Sequence, residues 1–103
     1  MVFGKINNWV EVSRTREGIQ YLDKNSLNKK GESIIEITTK YSKINANTSV
    51  KIEDNIYIMR INCISNQFKD ISVNGKNNPS AKWEAPNEDK LLEDVISDSC
   101  KNV

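Results

Sequence analysis

The sequence predicts an α+β fold: an antiparallel sheet of about six strands running as a meander, with one C-terminal helix packed on one face. Three observations carry this. Two long stretches alternate with the two-residue period of a strand, the links between apolar runs are short and polar, and after Pro86 the period becomes helical. At 103 residues the chain reads as one domain, with the sheet over about residues 8–85 and the helix over about 88–100.

The two long strands come first. In SIIEITTKY, Ile35, Ile37, Thr39 and Tyr41 alternate with Glu36, Thr38 and Lys40. In NIYIMRINCIS, Tyr57, Met59, Ile61 and Cys63 share one side, while Ile58, Arg60, Asn62 and Ile64 share the other. Both are rich in β-branched and aromatic residues, which suit a pleated surface. Shorter strands are expected at 9–13, 19–23, 68–73 and 81–85. The link RTREG offers Gly18 for a positive φ, KNSLNKKGE reads as a turn ending at Gly31, and NGKNNPS (74–80) as a loop. Residues 42–54 are compatible with either a strand extension or a mobile loop.

For the helix, Asn87 serves as N-cap, Glu88 and Asp89 suit its positive end, and Lys101 suits the other. Leu91, Leu92, Val95, Ile96 and Ser99 recur at helical spacing and mark the buried stripe. Cys63 belongs to the Tyr57–Met59–Ile61 side of its strand, and Cys100 lies one turn beyond Ile96. If the stripe covers that side, the two sulfurs can meet; otherwise the chain carries two separate buried thiols. A bond would pin a helix end that otherwise frays.

Net charge is +1, which gives no global field toward nucleic acid or anionic membrane. Residues 88–99 hold Glu88, Asp89, Glu93, Asp94 and Asp98 against Lys90, so the acidic charge is concentrated there, either docked on the mildly basic body or solvated. Arg14, Arg16, Lys29 and Lys30 are interspersed with Glu17 and Glu32 and lack interleaved aromatics, so no nucleic-acid partner is expected. No apolar run approaches the roughly 18 residues that cross a bilayer. MVFGKINNW has no sustained apolar core, so the chain reads as cytoplasmic if Met1 is the true start and exported if a leader lies upstream.

The absence of histidine removes Ser-His-Asp and Cys-His chemistry and the commonest metal ligand. The cysteines form no CxxC pattern, and the four glycines form no phosphate cradle, so no cofactor or metal is expected. A small enzyme would need two of Asp23, Glu53, Asp54 and Asp70 in one polar cleft, within roughly 10 Å. Ser26 has no base to activate it, Trp9 and Trp83 read as core or sheet-edge aromatics, and Asn47-Thr48-Ser49 is a chance sequon in an Asn-rich chain.

In order and spacing, several features resemble the surface-adhesin protein E-like family of bacterial envelope proteins. They are Trp9 opening the first strand, the run YLDKNSL (21–27), Gly31 before the next strand, Cys63, the Trp83–Pro86 pair and Cys100. The resemblance implies a helix tied to the sheet by a disulfide and export to the periplasm, cell surface or medium. It also implies a non-enzymatic role: the founding member is an adhesin that binds matrix and plasma proteins and can dimerise. An unknown protein or glycan partner is therefore expected, with a homodimer possible. A structural or assembly component of the envelope is the alternative. The expected contact surfaces are the 42–54 and 74–80 loops and the open sheet face, with Ile58, Arg60 and Ile64 as candidates on that face.

Overall fold

A computed structural model describes residues 6–101 of the chain. The sheet contains β1 (Trp9–Arg14), β2 (Gly18–Asp23), β3 (Asn28–Lys29), β4 (Ile34–Ile44), β5 (Lys51–Asn62), β6 (Gln67–Val73) and β7 (Lys76–Asn77). The helix α1 (Lys90–Ser99) follows. All pairings are antiparallel, in the spatial order β1-β2-β4-β5-β6-β7. The short β3 pairs with β4 at Asn28↔Glu36 and Lys29↔Ile35. A 3-10 turn over Lys24–Ser26 separates it from β2. The meander predicted from the alternating segments is the observed topology.

The two long strands form the spine, with Ile37 opposite Met59 and Ile35 opposite Ile61. Opposed residues share a face, so these four project together toward the helix. With Leu22, Phe68, Val95 and Ile96 they make the buried core, and Leu92, Cys63 and Cys100 pack against its margin. Cys63 and Cys100 are joined by a disulfide that spans 37 positions, so the bridged reading of the two cysteines holds. Ser13 Oγ also donates to Asp94 Oδ2 at 2.5 Å, tying the helix to β1. Otherwise the acidic helix satisfies itself. Lys90 pairs with Asp94 at 2.7 Å and Lys101 with Asp98 at 3.0 Å, so its charge is not neutralised by the sheet among the described residues.

Several local expectations shift. The helix begins at Lys90 because Asp89, not Asn87, accepts from the Leu92 backbone N–H at 3.2 Å. Asn87 and Glu88 instead take positive φ values of 50° and 65°, which turns the chain out of line before the cap. Residues 42–54 are mostly strand: β4 continues to Ile44, β5 begins at Lys51, and only 45–50 form the turn. The strand expected at 81–85 shrinks to one bridge, in which Phe68 and Glu84 exchange backbone hydrogen bonds of 2.8 and 2.9 Å. Pro79 and Pro86 flank it, and proline has no N–H to extend a ladder.

A strand forms instead inside the expected 74–80 loop. Asn74 and Gly75 have φ of 50° and 83°, matching the two-residue turn that joins hairpin strands with a right-handed twist, and β7 follows at once. Gly18 does not take positive φ; what it supplies is space. A Cβ there would meet the Tyr41 ring at 2.3 Å, so the glycine allows the tyrosine to lie flat across β2.

A face that the helix leaves open

Strand parity divides the functional side chains between two environments. The helix side holds the main core cluster, while Ile19 and Ser42, which oppose each other at one end of β2 and β4, are buried on the other side. The opposite side presents Trp9 and Glu11 from β1, Tyr21 from β2, Glu36, Thr38 and Lys40 from β4, and Ile56, Ile58 and Arg60 from β5, because these residues face one another across the ladders. No secondary-structure element covers them among the described residues.

Of the three predicted contact residues, Ile58 and Arg60 lie on this face and are half-buried by their neighbours. Ile64 does not join them. β5 ends at Asn62, whose side-chain oxygen accepts from the Ile64 and Ser65 backbone N–H groups at 3.1 Å. That cap folds the chain into a tight turn and leaves Ile64 83% exposed at its tip. The predicted trio is thus a face pair plus a rim residue. Ile56, which was not singled out, extends the pair as a 40% exposed neighbour.

Arg60 donates to Glu36 at 2.8 Å, and Lys30 approaches the other Glu36 oxygen at 3.9 Å. The Nε of Arg60 is buried without a partner among the described residues. Beside this ion pair lies a basic–aromatic strip. The Lys40 ammonium sits 4.6 Å from the Trp9 ring centre and 4.7 Å from that of Tyr21, and Lys51 lies 5.1 Å from Tyr21 on its other flank. At the far edge Lys69 stands 4.8 Å over Trp83. These distances fall in the range of cation–π attraction. Lys40, Lys51 and Lys69 have no carboxylate within salt-bridge distance among the described residues, so their charge is directed to solvent or to a partner. Trp9 lies on the edge strand β1, in keeping with the sheet-edge reading, and both tryptophans in addition carry cations. The missed signal was parity: Trp9 and Tyr21 oppose Asp23 and Glu11, on the side away from Leu22.

The four carboxylates considered as an acid–base set are divided. Asp54 opposes Ser42 and accepts its hydroxyl, and Asp23 accepts from the Asn8 and Asn25 backbone N–H groups at 2.8 and 3.0 Å, a turn-fixing role. Glu53 and Asp70 belong by register to the helix side, opposite Lys43 and Met59. Asp70 is the perturbed member: burial first, then the charge of Glu84, pushes its carboxyl up to about 6. The Tyr57 hydroxyl is raised as well, first by burial and then by Asp70. Among the described residues no helix is long and apolar enough to cross a membrane.

Comparison with known proteins agrees with this architecture at one level. Neither curated proteins nor solved structures gave a match. The sequence profile of the surface adhesin-E family matches residues 10–103, which covers β1 from Val10 onward, all later strands, the helix and both bridged cysteines. The fold carries the antiparallel sheet, the C-terminal helix and the disulfide that the resemblance implied, and the chain belongs to the surface adhesin-E family of envelope proteins.

Proposed function

We propose that this chain is a non-enzymatic binding domain, exported to the cell surface, that engages an acidic protein or glycan partner through the open face of its sheet. The observation that carries the reading is the asymmetry of the two faces. One carries a disulfide-tied helix, while the other holds Lys40 between Trp9 and Tyr21 with Ile56, Ile58 and Arg60 alongside. Ring faces offer flat apolar area to sugar rings or side chains, and unpaired ammonium groups select anionic ones. Family membership supports a surface role, and the isoleucines give the patch an apolar centre.

The test is an array of sulfated and uronic-acid glycans with acidic matrix proteins, probed with the oxidised protein. Binding is expected for acidic members, to weaken with added salt, and to fall about tenfold in Lys40→Ala or Arg60→Ala. Binding that is indifferent to salt and to both substitutions contradicts the reading.

A further inference from the structure

The helix does not cover its whole side of the sheet. Beyond its first turn lies a cleft of about 460 Å³, floored by Thr39, Met59 and Phe68 and walled by Tyr41, Tyr57 and the Glu84 segment. Its charged lining is almost entirely acidic: Glu17, Asp70, Glu84 and Asp89. The one lysine at the rim, Lys90, is held by Asp94 at 2.7 Å.

Two independent features bear on what this cleft can bind. The Asp70 carboxylate has neither a salt bridge nor a hydrogen bond among the described residues, although it is half-buried and close enough to Glu84 to feel its charge. Thr39, fully buried in the floor, has a hydroxyl with no hydrogen-bond partner among the described residues. A buried hydroxyl left unmade is costly, and a half-buried carboxylate beside a second acid gains from an opposite charge, so the two call for the same complement: a compact cation that donates in several directions.

We propose that this cleft binds an alkylammonium group, with Asp70 as its counter-ion, Thr39 as a further acceptor and the rings of Tyr41 and Tyr57 as walls around the alkyl stem. An ammonium carries three rotatable donors and so suits acceptors that approach from separate directions, whereas a guanidinium requires a planar fork. Aromatic walls add attraction for the cation and apolar contact for its stem. The site is separate from the open face, on the opposite side of the sheet, and does not depend on what binds there.

The experiment is an amide NMR titration of the oxidised protein at about pH 8, where carboxylates are ionised. The probes are n-butylamine and Nα-acetyl-lysine methylamide, with n-butanol as the neutral isostere and Nα-acetyl-arginine methylamide as the planar cation. Saturable shifts are expected at Thr39, Tyr41, Tyr57, Asp70 and Glu84 with both amines and not with the alcohol. Asp70→Asn is expected to weaken binding about tenfold and Thr39→Val about threefold, while Lys29→Ala, exposed on β3 and outside the cleft, changes nothing. Tighter binding of the blocked lysine identifies a partner's side chain as the source, and tighter binding of butylamine a free amine; both support the proposal. Should Asp70→Asn fail to fold, Glu84→Gln takes its place with the same sign of effect. No saturable shift in the cleft, equal shifts with n-butanol, or affinity unchanged in the acidic-residue variants overturns the site. Equal or tighter binding of the arginine probe overturns the assignment to an ammonium.

Discussion

Replacing both cysteines with alanine tests how the helix is held. The disulfide closes a loop of about 38 residues, and constraint of the unfolded chain over that length is worth about 4 kcal/mol. Both cysteines also pack against the margin of the core, so the lost sulfur contacts add roughly 1 kcal/mol. A total of about 5 kcal/mol is a large part of the 5–15 kcal/mol that holds a typical small fold. The assay is equilibrium urea unfolding followed by tryptophan fluorescence and far-ultraviolet circular dichroism, with the oxidised parent and its reduced form as references. The double variant and the reduced parent are expected to lose similar stability, with helix and sheet still unfolding together, because Val95 and Ile96 remain buried against the sheet. A loss below about 1 kcal/mol refutes the reasoning: the helix would then be held by its apolar stripe alone, and closure of the chain would contribute little.

Asp70→Asn is expected to stabilise the protein at neutral pH. The folded carboxyl titrates near 6, above its ordinary 3.8, so the fold prefers the protonated form. The cost of ionising it is present above pH 6 and disappears as pH falls toward 4. Two pH units correspond to nearly 3 kcal/mol, which solvent screening of a half-exposed group reduces to about 1–2 kcal/mol. Melting at neutral pH should therefore rise by about 4–8 °C, with no gain near pH 4. Ile61→Ala, at a position with 0% exposure between β4 and β6, is expected to cost about 3–4 kcal/mol in urea unfolding. Gly18→Ala forces the Tyr41 ring off β2 and should cost about 1–2 kcal/mol, with a change in the Tyr41 ring resonances that Gly31→Ala does not produce.

How far the sequence could be read depended on whether a feature was periodic or local. Ile35, Ile37, Met59 and Ile61 repeat at two residues over long strands, so burial fixes both their face and their register. Leu92, Val95 and Ile96 recur at helical spacing, and the two cysteines then had one geometry in which to meet. Features decided by a single residue were harder. The Asn74-Gly75 pair is a strong hairpin signal, but its two-residue partner strand is too short to show alternation. Asn87 and Asp89 are both capable N-caps, and the choice was made by the turn entering from Pro86. Ile64 has strand parity, yet the Asn62 side chain captures the next N–H groups and ends the strand before it.

The open face was partly legible for the same reason. Parity along β5 placed Ile58 and Arg60 together, because one strand was enough to pair them. The basic–aromatic strip required the alignment of β1, β2 and β4, since Trp9, Tyr21 and Lys40 are distant in sequence and meet only in the registers Glu11↔Tyr21 and Tyr21↔Lys40. The cleft on the other side required more still, because it is defined by where the helix stops.

Most depends on the division of labour between the two faces of the sheet. Amide chemical-shift mapping of the oxidised protein with the tightest acidic binder from the array tests it directly. Shifts centred on Trp9, Tyr21, Lys40, Ile58 and Arg60, with the outer surface of α1 unperturbed, are the predicted result. A footprint on the helix that leaves those residues unshifted contradicts it.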